Sequence, residues 1–331
     1  MSASYDKSTA VVVLPAIGGG RLQDRRLQSW LGRSDLVQHL EPVSLLELIL
    51  REIDRPMPTE GLAALRMWGQ TGDRPTVWMA AADPVYLEPQ LDHLRLHALS
   101  RQQLSPGELR QLINHLQLVL GADSSCSFAR VGPCGYLNAS APIATAELPA
   151  AAIHGLRPDV YLPAGEASAG HRKLVSEIEM ALHDHAVNVE RQADGLQPVN
   201  SLWLWGGGTA PEQTTEWHPP LFANEPLLGG YWASKTGLVA AWPGSIAACI
   251  EESLAGFVAV VPAVEQDIEV LESLLRELKE ALYSDRLSSL VLLFRDGIRA
   301  DVRRKHGLRV WRRRNTLLEA PRAEGQHGAR A

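Results

Sequence analysis

The sequence predicts an α/β fold with a largely parallel sheet. Three observations predict it: short apolar, β-branched runs end at glycine or proline, stretches of helical spacing separate them, and a late Asp-Gly pair joins two apolar runs. That last pair predicts an antiparallel hairpin near the C-terminal end.

Taken in order, residues 10–14 (AVVVL) form a buried strand that feeds a turn at Pro15 and at Gly18, Gly19 and Gly20. Residues 43–53 and 60–70 have helical spacing and are split by Arg55-Pro56-Met57-Pro58. Residues 76–81 and 86–96 read as strands around an Ala82-Asp83-Pro84 corner. Ser105-Pro106-Gly107-Glu108 supplies an N-cap, a proline in the first turn and an acid three residues on, predicting a helix to about Leu120. Residues 123–150 turn rich in Ser, Gly and Pro, with short strands at 127–131 and 136–139, as an edge or lid insertion. A helix over 167–185 places Leu174, Ile178, Ala181 and Leu182 on one face. Residues 201–205 alternate as a strand that stops at Gly206, Gly207 and Gly208. A buried strand at 257–261 and a helix at 265–283 precede strands 289–294 and 298–303, which flank Arg295-Asp296-Gly297. Residues 1–318 are expected to form one α/β domain and 319–331 a disordered tail.

Bulk properties narrow the function. The chain has 331 residues, enough to bury a sizeable core, and its net charge of -6 argues against a general nucleic-acid or membrane binder. Three cysteines, Cys126, Cys134 and Cys249, form no CxxC and suit a reducing compartment. The first residues lack a charged-then-apolar signal pattern, and no apolar run approaches the roughly 20 residues of a membrane helix. The expectation is a soluble cytoplasmic protein with no membrane partner.

The most informative stretch is His183-Asp184-His185-Ala186-Val187-Asn188, then Arg191, then Pro198-Val199-Asn200-Ser201-Leu202-Trp203-Leu204-Trp205-Gly206-Gly207-Gly208. It resembles a block of the cofactor-independent, archaeal-type phosphoglycerate mutases of the alkaline phosphatase superfamily. The Trp-Leu-Trp-Gly-Gly-Gly form, the segment Ala80-Ala81-Ala82-Asp83-Pro84-Val85-Tyr86-Leu87 and the basic Trp311-Arg312-Arg313-Arg314 are similar to a proteobacterial offshoot, the RpfE-like regulatory proteins. The resemblance implies an alkaline-phosphatase-like, mostly parallel sheet with helices on both faces.

The resemblance also implies where chemistry should sit, and those places are altered. A two-metal phosphoryl-transfer site needs a hydroxyl nucleophile and several Asp or His ligands. In the superfamily the first ligand is an Asp directly after the first strand; here that place is Pro15-Ala16, and after the strand no Asp appears until Asp24 and no Ser or Thr until Ser29. Between Gly208 and Ala300 the one histidine is His218, and the family's phosphate-gripping arginine falls on Trp205.

Individual residues leave alternatives open. His183 and His185 sit two apart at a helix end and cannot share a helical face; they either benefit from the helix dipole as cations or line a site. Asn188 and Asn200 hold turns or fix the backbone of a pocket. Arg191 pairs with Glu190 or Asp194, or meets an anionic ligand. Trp203 and Trp205 share one side of a strand, as core or as the floor of a ligand pocket at the strand's C-terminal end. Gly206, Gly207 and Gly208 allow close approach of backbone or ligand, and lack the Lys and hydroxyl of a P-loop. Asp83 before Pro84 starts a turn or meets a ligand. Arg312, Arg313 and Arg314 belong to a basic segment that contacts an anionic partner or clasps the acidic helix at 265–280.

These readings converge on a degenerate phosphoglycerate mutase-like protein, non-catalytic, with a regulatory or ligand-sensing role toward a small ligand or a regulatory protein partner. No cofactor is expected. The alternatives are an active phosphoglycerate mutase or phosphohydrolase, which would need a divalent metal such as Mn or Zn, and nucleic-acid or acidic-partner binding through the basic segment.

Overall fold

The computed structural model describes residues 8–100, 102–121, 125–166, 168–253, 256–264, 267–309, 311–312 and 315–319. Strand β1 (Thr9–Leu14) is buried along its whole length, as its β-branched sequence requires. Helix α1 (Arg25–Gly32) starts at Asp24, whose carboxylate accepts from the Arg26 and Leu27 amides. Strand β2 (Asp35–Gln38) and helix α2 (Leu45–Glu52), capped by Ser44, follow. Helix α3 (Leu62–Thr71) is bounded by Gly61 and Gly72, both at positive φ.

The next stretch corrects the sequence reading. Residues 79–89 form one strand, β3 (Met79–Pro89), with no corner at Asp83, followed by β4 (Leu94–Ala98). Pro84 is tolerated because the neighbour on one edge of β3 changes there, from β6 up to Ala81 to β4 from Val85. Helix α4 (Pro106–Leu120) carries the full capping box of Ser105 and Glu108, as its sequence predicts. Strands β5 (Cys126–Val131) and β6 (Cys134–Ala139) form a hairpin through Gly132, whose φ is 56°. Helix α5 (Ser168–His183) ends earlier than expected, and a separate helix, α6 (Ala186–Ala193), begins at His185.

Strand β7 (Ser201–Gly208) continues through the three glycines that were expected to end it. Strand β8 (Leu221–Phe222), helix α7 (Pro226–Ala233), strand β9 (Val239–Ala240), helix α8 (Ile246–Glu252) and strand β10 (Val258–Val260) come next. Helix α9 (Ile268–Tyr283) and the hairpin β11 (Ser289–Phe294) and β12 (Ile298–Arg303) complete the fold. Gly297, at φ 82°, makes that hairpin's turn, and a side chain there would run into the His39 carbonyl.

Among the described residues the strands make two sheets. The larger has the order β2-β12-β11-β1-β10-β8-β9. Its centre, from β11 to β9, is parallel, and β12 and β2 add on antiparallel, so the fold is α/β with a mostly parallel sheet and the expected hairpin. The smaller sheet, which the sequence did not reveal, is antiparallel: β3 pairs with β4, β6 and β7, and β5 is an outer strand beside β6.

Side-chain alternation sets the layers. Ala10, Val12 and Leu14 pack with α1, α8 and α9, whereas Val11 and Val13 face α2, α3 and α7. Met79, Ala81, Trp203 and Trp205 of the smaller sheet meet that same middle layer, and Ala80, Ala82, Leu202 and Leu204 pack on α4, α5 and α6. The middle layer is tight because Gly69 and Gly230 let α3 and α7 touch: a Cβ on Gly230 would overlap the Leu65 carbonyl. Among the described residues no helix is long and apolar enough to cross a membrane.

Candidate functional site

Asp83 lies on the face of β3 that meets α3, between Ala81 and Val85, and this position builds a polar cluster inside an apolar layer. Arg66, 7 % exposed, reaches it from α3 and donates Nη1 to Asp83 Oδ1 at 2.6 Å. The Trp205 indole donates to Asp83 Oδ2, also at 2.6 Å. The same guanidinium donates Nε to the Tyr136 hydroxyl at 3.1 Å and Nη2 to the Gly135 carbonyl at 2.9 Å, and Tyr136 donates to Gln70 Oε1 at 2.5 Å. Burial opposes the Arg66 charge, yet Asp83 outweighs it and holds the pKa above the ordinary arginine value. Burial likewise pushes the Tyr136 hydroxyl upward. Each donor is spent on the chain itself, so Asp83 serves as the counter-ion of a structural arginine.

Sequence reasoning missed Arg66 and Tyr136. The signal available was one arginine inside Leu62-Ala63-Ala64-Leu65-Arg66-Met67-Trp68, where apolar flanks mark a charge that must be buried and paired.

The informative block between α5 and β7 is also occupied by its own backbone. Asn188, 2 % exposed, donates to the Leu182 and Val199 carbonyls and accepts from the Val199 amide, each at 2.8 Å. Asn200 makes a two-way bridge to Leu87, at 2.7 and 2.9 Å, extending the β3–β7 pairing. Arg191 pairs with neither Glu190 nor Asp194: it donates Nη1 to Glu108 at 2.7 Å and Nε to the Gln197 carbonyl at 2.8 Å. Burial raises the Glu108 pKa, but the bonds from Ser105 and Arg191 prevail and hold it below the ordinary value.

The two histidines separate. His183 points to solvent beside Asp184. His185 is the N-cap of α6, with Nδ1 accepting from the Val187 amide at 3.2 Å, so the cation favoured by a helix C-terminus is corrected to a neutral ring. Burial and the neighbouring His115 lower its pKa accordingly.

Trp203 and Trp205 are 4 and 2 % exposed, and the Trp203 indole donates to the Leu148 carbonyl at 2.8 Å. The glycines permit a close approach, by the chain itself: Gly61 donates to the Gly207 carbonyl at 3.0 Å, and Gly207 donates to Thr145 Oγ1 at 2.9 Å. Gly206, at φ 64°, lies against Leu62. In front of Gly206 and Gly207 opens a cleft of about 510 Å³, bordered by Ser44, Thr59, Thr145 and Glu147. Glu47 and Glu60 also line it, and among the described residues its lining includes no Lys, Arg or His.

At the C-terminal edge of the parallel sheet, where open α/β sheets place ligands, the groups are Arg295, Asp296 and Glu225. Asp296 Oδ2 accepts from the Ile17 and Gly18 amides just beyond β1, at 3.0 and 2.6 Å. Arg295 donates to Glu225 Oε1 at 3.2 Å and to the Val261 carbonyl at 2.9 Å. Asp296 Oδ1 and Glu225 Oε2 are buried without a partner, and burial raises the Glu225 pKa despite Arg295. Among the described residues no three His, Cys, Asp or Glu side chains group as a metal ion requires.

In the basic segment, Arg312 pairs with Asp35 at 3.0 Å, and Arg313 and Arg314 lie outside the described residues. Among the described residues the segment does not clasp residues 267–280; its carboxylate partners there are Glu52, Asp301, Asp285 and Asp35.

No family model matches the chain. Over 126 residues it is 30% identical to the 2,3-bisphosphoglycerate-independent phosphoglycerate mutase of Methanosarcina barkeri, covering 38% of this chain and 32% of that protein. Over 132 residues it is 29% identical to the probable enzyme of that name from Geobacter sulfurreducens, covering 40% of this chain and 33% of the relative. The matched stretch thus spans about a third of the length of these curated relatives. Among solved structures, the cofactor-independent phosphoglycerate mutase of Thermoplasma acidophilum aligns over 89% of both chains, with a TM-score of 0.40 and 19% identity. Over the stretch it shares with the curated relatives, the chain is homologous to the cofactor-independent phosphoglycerate mutases.

Proposed function

We propose that this protein is a non-catalytic relative of the phosphoglycerate mutases, a cytoplasmic regulatory or ligand-sensing protein of the RpfE-like kind that works without a cofactor. One observation carries the reading. The chain leaves β1 as Leu14-Pro15-Ala16-Ile17-Gly18, with neither carboxylate nor hydroxyl, and the Ile17 and Gly18 amides are capped by Asp296 from the β11–β12 turn. A phosphoryl group needs a nucleophile and positive charge at such a sheet edge. Here an internal carboxylate takes the amides an anion would use.

The cleft before Gly206 and Gly207 is the place for a small ligand. Its carboxylates and hydroxyls, with no cation among the described lining residues, suit a neutral or cationic molecule better than a phosphate. The competing reading is a metal-dependent mutase or phosphohydrolase with relocated ligands, which the unpaired oxygens of Glu225 and Asp296 favour. Incubating the full chain with 3-phosphoglycerate and Mn²⁺, Zn²⁺ or Mg²⁺ separates the two. The expected result is no product above the protein-free blank; turnover that EDTA abolishes overturns the proposal.

A further inference from the structure

Strand β12 and the segment after it are dense in cations, and three of them are neutralised one to one. Arg299 grips both Glu52 oxygens at 2.6 Å. Arg303 holds Asp301 at 3.0 and 3.1 Å, and Arg304 holds Asp285 through two nitrogens. These bidentate pairs leave little charge to offer a partner.

Asp35, on the outer strand β2, breaks the pattern. Arg309 donates to both its oxygens, at 2.5 and 3.3 Å, and Arg312 donates to Oδ1 at 3.0 Å. Arg33 joins the same turn, its Nη1 donating to the Gly307 carbonyl at 3.2 Å while its own carbonyl accepts from Arg309. The Arg33 Nε is buried with no partner. His306 Nε2 lies 3.6 Å from Asp35. Two arginines, Arg309 and Arg312, thus share one carboxylate, Arg33 adds a third guanidinium in the same turn, and a local excess of positive charge stays at the surface. Beside it, Leu308 and Trp311 are each 76% exposed. An open tryptophan flanked by arginines is the composition of an interface anchor.

We propose that Arg33, Arg309 and Arg312, with Leu308 and Trp311, form a docking site for an acidic protein segment that carries apolar residues next to its carboxylates. Asp35 is the internal stand-in for such a carboxylate and competes with it. A protein is favoured over nucleic acid for two reasons. The matched pairs at Arg299, Arg303 and Arg304 leave a point of charge where a polyanion needs a track, and the net charge of -6 repels a long polyanion. This inference is independent of the catalytic question.

The test is fluorescence anisotropy on the full chain with a labelled peptide of alternating Glu and Leu. A Gln–Leu peptide and a single-stranded oligonucleotide serve as comparators, at about 0.1 M salt. The Glu–Leu peptide is expected to bind and the Gln–Leu peptide not. Arg312→Gln and Trp311→Ala each weaken binding roughly tenfold. Asp35→Asn, which removes the competitor, tightens it by roughly threefold. Arg312 is 52% exposed at its side chain and Trp311 76% exposed overall, so both variants keep the fold, which an unchanged melting temperature checks. The proposal fails if the Glu–Leu peptide does not bind, if both peptides bind alike, or if Arg312→Gln and Trp311→Ala leave affinity unchanged. It also fails if Asp35→Asn weakens binding, and tighter binding of the oligonucleotide replaces it with a nucleic-acid site.

Discussion

Two partly buried carboxylates, Asp83 and Asp296, have opposite surroundings. Asp83 spends both oxygens on charged or indole donors, and its arginine spends its remaining nitrogens on Tyr136 and Gly135. Asp296 spends one oxygen on two backbone amides and leaves the other without a partner. The first arrangement locks α3 to the smaller sheet, since removing Arg66 or Asp83 strands the other's charge in an apolar layer. The second keeps an unmet acceptor at the edge of the larger sheet. Stability is concentrated in one place and adaptability is retained in the other.

The largest expected effect breaks the comparison if it fails. Asp83→Asn leaves the Arg66 guanidinium buried without a counter-ion and should cost about 3–5 kcal/mol. Asp296→Asn keeps an oxygen for the Ile17 and Gly18 amides and places its amide where an orphaned oxygen was, so it should cost no more than about 1 kcal/mol. Urea denaturation of the two variants measures both. Equal losses would mean that the partner count around each carboxylate does not govern its contribution.

The reason Asp83 was misread from sequence explains what was legible. Ala82-Asp83-Pro84 has turn chemistry, and nothing local shows that β3 changes neighbours there, so that Pro84 loses no ladder bond. The helix after Ser105 was readable because its cap, proline and acid all lie within four residues. The β11–β12 hairpin was readable because Asp296-Gly297 sits between two apolar runs. Helix α7 was not: Pro226-Leu227-Leu228-Gly229-Gly230-Tyr231-Trp232-Ala233 is apolar on every side and carries two glycines, of which Gly230 is required only by contact with α3. The site suffered in the same way. Arg191 and Glu108 are 83 residues apart, and Trp205 and Asp83 122 apart, separations no local pattern encodes.

A second measurement concerns rings buried uncharged. His171 is 2 % exposed and His218 0 %, and burial lowers both pKa values from 6.5. His171 offers Nδ1 to the Ala144 carbonyl at 3.0 Å and has no partner for Nε2. The folded pKa lies below the unfolded value, so the unfolded chain binds the proton first as pH falls. Stability is therefore full above about 6.5 and declines below it, with a limiting slope of about 1.4 kcal/mol per pH unit for each ring. Urea midpoints followed downward from neutral pH in the wild type and in His171→Gln check this: the variant should show the shallower decline. Identical profiles would place the acid sensitivity elsewhere.

The smallest effect is the most diagnostic of the sheet edge. Burial raises the Glu225 pKa above 4.5, and the pairing with Arg295 recovers part of that penalty. Because the folded pKa exceeds the unfolded one, Glu225 favours folding least once pH has risen past both values. Glu225→Gln removes the charge that the fold disfavours and supplies a donor at one of the two positions, one of which now has no partner. The variant should match the wild type near pH 4 and become the more stable of the two toward neutral pH, by less than the Asp83→Asn loss. A wild type that stays more stable at neutral pH would show that Arg295 outweighs burial at this edge. The orphaned oxygens there would then be an ordinary surface feature, and the contrast with Asp83 would rest on Asp296 alone.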